Sequence, residues 1–370
     1  MAAVRYESVL VEQAFVREYS SELESTLRKM AGLNDIKGLV RDFEKQFADY
    51  IGVKQAVAVN SGSDALKMAL MACGVGPGDE VIVPDLTYQA VALAVFYCGA
   101  KPLSVDASKK DLQMDPALIE KAVTKKTKAV IAAHMFGRAC DVNAIAEICR
   151  RHKLAFIEDV CQAESSQYNG RMLGSFGDMA VFSFSYYKPL SSCGGGGGMV
   201  VCNNDHERRI RHWMEDWRDD VELLKTGQRF APMSFMDLIA LRVKFSHLKK
   251  IIDSRHQIKA FYEMELGSLK GLTIFKDRPH TESVAQNFVI CHSRRDQLVE
   301  FLTSQGIMVQ KPYLALHQMS VLKENSRCLF PVSSWYAANA LHLPLYSFMS
   351  LDKAKRVVDA CKEFIEANGA

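Results

Sequence analysis

Long hydrophobic runs are missing from this 370-residue chain. The most apolar stretch, Ala90 to Ala100, lies between Gln89 and Lys101 and has 11 residues, about half of the ~20 that a membrane-spanning helix needs. An excess of charge of one sign is also missing. Lys plus Arg is 46 against 43 for Asp plus Glu, a formal net charge of +3, so nothing electrostatic argues for a nucleic-acid or membrane-surface partner. The ten cysteines contain no CxxC pair, so a zinc site built from close pairs is not expected and no metal site is assigned. A chain of this length has core enough without a disulfide framework, and the cysteines read as buried thiols of a reducing cytoplasm. The segment Met1 to Glu7 brings in acid early and has no apolar centre, which argues against a secretory signal. The expectation is a soluble cytoplasmic protein.

What the sequence does contain is a repeated alternation of short apolar runs and amphipathic runs. Ala56 to Asn60, Val81 to Pro84, Pro102 to Asp106, Ala129 to Ala133 and Ala155 to Ile157 read as buried strands. Helices are expected over Asp64 to Cys73, Thr87 to Tyr97, Pro116 to Val123 (capped by Asp115) and Val142 to His152. Near-continuous apolar strands alternating with helices indicate an α/β fold with a mostly parallel sheet covered on both faces. Further on, Glu207 to Asp220 reads as a helix with a solvated arginine face, and Trp213 and Trp217 sit at i, i+4 spacing. His247 to Leu266 reads as a long helix and Leu351 to Ala367 as the last one. Phe288 to Cys291 and Met308 to Gln310 read as short strands. A domain boundary is expected near 245, separating a larger domain over 1–245 from a smaller C-terminal α/β domain over 246–370.

Three features at strand ends carry chemistry, because ligands of such sheets collect at the carboxyl ends of the strands. Asn60-Ser61-Gly62-Ser63 opens a helix, and free amides at a helix start with small side chains suit one phosphate. Glu158-Asp159 follows the strand Phe156-Ile157 and delivers a carboxylate to the crevice. Lys188 follows the apolar run Met179 to Phe184, where burial can lower an amine's pKa and let it form a Schiff base with a carbonyl cofactor. The run Gly194 to Gly198 beyond it marks either backbone that passes close to something or a flexible loop. Each feature alone is ordinary: a capped turn, a loop aspartate, a lysine reaching water. Together, in this chain order, they suit pyridoxal 5'-phosphate (PLP), with a lysine for the aldehyde, an acid for the pyridine nitrogen and a turn for the phosphate. Tyr88, beyond Pro84, adds an aromatic face beside a neighbouring strand end.

These segments resemble the DegT/DnrJ/EryC1/StrS family of PLP-dependent sugar aminotransferases, of the fold type I superfamily. The resemblance runs through Phe47 to Val53, Val59 to Ser63, Gly76 to Val81, Thr87-Tyr88, His134 to Gly137, Glu158-Asp159 with Gln162, and Phe182 to Phe184 with Lys188 and the glycine run. It implies a seven-stranded sheet between helices, with Lys188 carrying the cofactor and Asp159 pairing with the pyridine nitrogen. It also implies Gln162 by the phenolic oxygen, Tyr88 stacked on the ring, and Gly62, Ser63 and Ser183 around the phosphate. The family's Asn-Tyr-Arg-Met segment is replaced here by Arg229-Phe230-Ala231-Pro232-Met233, with Arg229 as a substitute cation, and the family's Gly-Trp segment is not recognisable around Leu33 to Leu39. The implied activity is transfer of an amino group from glutamate to a nucleotide-linked keto-sugar, through pyridoxamine 5'-phosphate, in a homodimer whose active site lies at the subunit interface. Trp213, Trp217 and Arg229 to Phe235 are where that interface is expected. Tyr313, His317 and Tyr346 lie in segments that could approach the acceptor. A cyclitol aminotransferase and a non-catalytic PLP-binding regulator remain open alternatives. Lys188 speaks against the dehydratase branch of the family, which carries histidine there.

Overall fold

The computed structural model describes residues 8–31, 35–192, 194–215, 230–320, 322 and 329–368, with residues 8–16, 31 and 368 described through their backbone alone. Two helices come first, α1 (Ser8–Ala31) and α2 (Ile36–Ile51). Asp35 caps α2 by accepting the Gly38 amide at 2.8 Å, and Gly52 ends it with φ +80°, a left-handed turn that suits glycine at a helix C-terminus. Then come β1 (Gln55–Val59), α3 (Gly62–Ala72), β2 (Glu80–Pro84), α4 (Ala90–Tyr97), β3 (Lys101–Val105), α5 (Pro116–Ala122), β4 (Thr127–Ala133), α6 (Val142–His152) and β5 (Ala155–Asp159). After the two-residue strands β6 (Gln167–Tyr168) and β7 (Arg171–Met172) come β8 (Met179–Ser183), β9 (Gly198–Cys202) and α7 (His206–Glu215).

Seven strands form one sheet in the order β1-β9-β8-β5-β4-β2-β3. Only β9 is reversed, pairing antiparallel with β1 and with β8. The sheet is two-sided because each strand gives alternate residues to opposite cores, as the period of two requires. Ala56, Ala58, Ile82, Val130, Phe156, Phe182 and Val201 pack with Phe43 and Phe47 of α2 on one face. Val57, Val59, Val81, Ile131, Ile157, Val181 and Val200 pack with Leu66 and Met68 of α3 and Val91 and Val95 of α4 on the other. Burial on both faces is why the strands read as unbroken apolar runs.

Beyond α7 the chain forms helices Phe235–Ser246 and Leu248–Leu266, which meet at His247. A second sheet, β10 (Thr273–Ile274), β12 (Phe288–Cys291) and β13 (Ala340–Leu343), is antiparallel. It shares a core with helices Leu248–Leu266, Arg295–Ser304 and Leu351–Asn368. The remaining strand, β11 (Thr281–Glu282), joins β6 and β7 in a third small sheet.

Three expectations are corrected. Met308 to Gln310 is not a strand: its sheet pairing is a single bridge from Gln310 to His342, because the segment leaves β13 at once to reach the cavity described below. Trp213 is not an interface anchor. It is 4% exposed and packs in this chain's own core, its ring centroid 6.4 Å from that of Phe230. The arginine face of α7 is not simply solvated either. Arg211 ion-pairs with the buried Glu44 at 2.9 Å and with Glu207, and Arg209 covers the Trp213 ring while donating to the Ala72 carbonyl. Trp217, Arg229 and Leu33 lie outside the described residues.

Candidate active site

One cavity of about 670 Å³ opens at the carboxyl ends of the central strands, and Gly62, Ser63, Tyr88, Asp159, Gln162, Ser183 and Lys188 all line it. These residues are scattered between Gly62 and Lys188 in the chain; they are brought together because β1, β2, β4, β5 and β8 all end on the same edge.

The turn after β1 is built for close backbone approach. Ser61 caps α3, its Oγ accepting the Asp64 amide at 3.1 Å. A helix leaves its first amides without intrahelical partners, here those of Gly62 and Ser63, and the Ser183 hydroxyl stands beside them. A Cβ on Gly62 would lie 2.7 Å from the Ser183 Cβ, so only glycine fits. The glycine run lies against the same turn. Gly197 donates to the Asn60 carbonyl at 2.6 Å, and a Cβ on Gly198 would lie 2.6 Å from the Ser61 carbonyl carbon. Of the two sequence readings of that run, close passage is the one observed. On its other side the Ala231 carbonyl accepts the Asn60 amide at 3.2 Å.

Asp159 ends β5 and is 7% exposed, with its Oδ1 accepting the Cys161 amide at 3.0 Å. Its neighbour Glu158 points to the other face, where its carboxylate accepts the amides of Gly174, Phe176 and Gly177 at 2.8–3.0 Å. Burial opposes ionisation of Glu158, but His134 and these amides together hold its carboxyl below the usual range. His134 Nδ1 accepts the Cys140 amide at 3.1 Å and Nε2 lies 3.2 Å from Glu158 Oε2. A nitrogen that accepts carries no proton, so His134 is the neutral Nε2–H tautomer and donates to Glu158. This pair ties the segment after β4 to the end of β5 and so sets His134 in the cavity wall.

Gln162 Oε1 accepts the Phe136 amide at 2.9 Å. Tyr88 is 48% exposed and meets Tyr313 edge-on, ring centroids 5.5 Å apart. Lys188 lies in the turn after β8, its amide donating to the Ser185 carbonyl at 3.0 Å. The thiol of Cys161, which also lines the cavity, is pushed well up by burial and by Asp159.

Of the C-terminal residues singled out in the sequence, Tyr313 lines the cavity. His317 instead donates through its backbone and ring to Asp85, at 2.8 and 2.6 Å, and stacks on Phe330. Tyr346 is buried in the C-terminal core. Gln286, Asn287, Gln310 and Lys311 were not foreseen although they line the cavity. Nothing in their local sequence marks them, since only the packing of the C-terminal sheet on the large one brings them there. Among the described residues no group of His, Cys, Asp and Glu could hold a metal ion, and no helix is long and apolar enough to cross a membrane.

The profile of the DegT/DnrJ/EryC1/StrS aminotransferase family matches residues 36–362. The chain is 34% identical over 331 residues to dTDP-3-amino-3,4,6-trideoxy-alpha-D-glucose transaminase of Streptomyces venezuelae, covering 88% of this chain and 86% of that protein. It is 32% identical over 346 residues to GDP-perosamine synthase of Caulobacter vibrioides, covering 90% and 92%. The solved structure of S. venezuelae DesV in complex with ketimine intermediate superposes with a TM-score of 0.92 at 31% identity, over 99% of each chain.

Proposed function

The chain belongs to the DegT/DnrJ/EryC1/StrS aminotransferase family and has the fold type I architecture, and from that premise we propose that it is a PLP-dependent aminotransferase that moves an amino group from glutamate to a nucleotide-linked keto-sugar. The observation that carries this reading is the convergence of a lysine, a buried carboxylate and an amide-rich turn on one cavity. The donor set suits PLP. A turn too crowded for any Cβ at Gly62 or Gly198 leaves amides and hydroxyls for a phosphate, a buried Asp159 offers an anion for a pyridinium nitrogen, and the exposed Tyr88 ring offers a face. When bound, PLP supplies an electron sink that stabilises negative charge at a carbon next to nitrogen.

The residues would then divide the work as follows. Gly62 and Ser63 amides with the Ser63 and Ser183 hydroxyls hold the phosphate. Asp159 keeps a proton on the ring nitrogen through a charge-assisted hydrogen bond. Gln162, oriented by the Phe136 amide, faces the phenolic oxygen, and Tyr88 covers the ring. Lys188 Nζ would hold the cofactor through its aldehyde, and when free of it the same Nζ would take the donor's α-proton and later return one, since its two protonation states alternate along the path. The dTDP- and GDP-sugar names of the relatives support the acceptor class. The chemistry is tested by supplying PLP and glutamate and following 2-oxoglutarate; absence of donor-dependent product would remove the reading.

The active unit is proposed to be a homodimer. Tyr186, Tyr187 and Leu314 stand 44%, 60% and 66% exposed around the cavity region, apolar surface of the kind an interface covers. Sedimentation equilibrium giving only the monomer mass would contradict this. We place the division between a larger domain over 1–245 and a smaller one over 246–370 at the helix break around His247.

A further inference from the structure

On the two side chains that hold the Lys188 turn, two buried oxygens have no donor among the described residues. Glu164 is 1% exposed, and its Oε1 accepts the Leu190 amide at 3.3 Å, while its Oε2 has no hydrogen-bond partner among the described residues. Gln286 is 5% exposed, and its side-chain amide donates to the Tyr187 carbonyl, while its Oε1 has no partner among the described residues. So the residues on either side of Lys188 are gripped by two side chains, and each of these keeps one acceptor empty. Buried acceptors are almost always paired, because leaving one unpaired forfeits its hydration without a replacement. Two such vacancies on the clamps of one lysine call for a shared donor.

We propose that Glu164 and Gln286 form a resting place for the Lys188 ammonium, occupied whenever that amine is not bonded to the cofactor. The proposal rests on Lys188 being the cofactor lysine. A released amine that takes up a proton carries three N–H donors, and buried in the cavity floor it needs both acceptors and a counter-charge. Glu164 supplies the charge and Gln286 the second acceptor. Glu164 is thus a positioning residue: it acts on Lys188 and has no contact with substrate assigned to it.

The electrostatics agree. Burial pushes the Glu164 carboxyl up to about 7, while Lys188, the amides and Arg255 pull it down. Arg255 acts on it through charge from helix Leu248–Leu266, where it donates to the Ala285 and Gln286 carbonyls. The charge of Glu164 in turn acts on the Tyr50 phenol from α2 and on the Cys161 thiol. Above about 7 Glu164 is a carboxylate and can face an ammonium. Lys188 would keep its proton while resting and give it up on returning to the cofactor.

The test uses the full chain freed of cofactor. The pH dependence of Lys188 acetylation by acetic anhydride, read by peptide mass spectrometry, gives the midpoint of its amine. Glu164→Gln keeps the shape and the Oε1 acceptor for Leu190 but removes the charge, and should lower the midpoint by about one unit or more. Gln286→Leu should lower it by less, and it reads the same cradle should the first variant fold poorly. In the holoenzyme, the alkaline limb of the glutamate half-reaction should move the same way in Glu164→Gln. A midpoint unchanged in both variants overturns the proposal, which is also the result if water fills the two vacancies. Because the acetylation readout needs no turnover, it separates failure of this cradle from failure of the aminotransferase reading.

Discussion

Gly198→Ala tests how tightly the glycine run is fitted to the phosphate turn. The new Cβ would lie 2.6 Å from both the carbon and the oxygen of the Ser61 carbonyl and 2.8 Å from the Gly62 nitrogen. Carbon atoms in contact sit about 3.5–4.0 Å apart, so roughly 1 Å must be found. The clashing atoms are backbone, so no side chain can rotate away. Strand β9 cannot slide, because its five residues are in register with β1 on one side and β8 on the other. The turn must yield instead. Overpacking of this kind costs about 1–3 kcal/mol, and we expect the upper half of that range in urea unfolding. Displaced amides should weaken PLP binding at least tenfold, equivalent to about 1.4 kcal/mol. Binding is measured by titrating apoprotein with PLP and following absorbance. Gly76→Ala is the control, since a Cβ there meets nothing within 4 Å, and it should leave both quantities unchanged. If Gly198→Ala matches Gly76→Ala in unfolding and in PLP affinity, the reasoning about the turn is wrong.

Other outcomes follow from single contacts. Asp159→Asn keeps an acceptor for the Cys161 amide but loses the charge, so PLP should still bind while the glutamate half-reaction, followed by stopped flow, slows at least 100-fold; a loss under threefold would deny Asp159 its role. The raised Glu164 carboxyl makes stability pH-dependent with a definite sign. The folded state holds that proton up to about 7 whereas the unfolded chain releases it near 4.5, so stability should fall as pH rises between those values, by about 3 kcal/mol. Urea unfolding of Glu164→Gln should lack this part of the fall, and parallel pH curves for the two proteins would refute it. Asp106, 2% exposed, accepts the Val332 and Ser333 amides at 2.9 Å and the Ser333 hydroxyl at 2.5 Å. Asp106→Ala strands those donors and should destabilise by about 3 kcal/mol, measurable by the same unfolding; a change below 1 kcal/mol would mean water replaces the carboxylate.

The large sheet was legible because its strands are buried on both faces, which writes each one as an apolar run: Val142–His152 and Leu248–Leu266 fell within a residue of their expected bounds for the related reason that their ends carry turn residues or caps. That the Ser61-Gly62-Ser63 turn, Asp159 and Lys188 would meet on one cavity was legible because each lies at or shortly beyond the end of a strand, and the edge where parallel strands end is fixed by topology. Met308 to Gln310 misled because a short apolar run, here Met308-Val309, looks like an edge strand whether or not a partner lies alongside. Trp213 misled because a charged helix hides its one buried stripe, Ile210 and Trp213, among arginines that turn out to be bonded inward. Glu164 carried no local sign at all. Its chemistry arises only when Leu190, Lys188 and Arg255 are folded around it.

The central claim is that Lys188 joins PLP and drives amino transfer. The most direct measurement is mass spectrometry of the PLP-loaded protein after borohydride reduction, beside a mixture of unreduced protein, glutamate and a dTDP- or GDP-linked keto-sugar. The account predicts a reduced PLP adduct on the peptide carrying Lys188, an amino-sugar product and 2-oxoglutarate in equal amount, with adduct and products all absent in Lys188→Ala and Lys188→Arg, because a guanidinium stays protonated and cannot replace the amine. An adduct on a different lysine, or products at the wild-type rate from either variant, would contradict it.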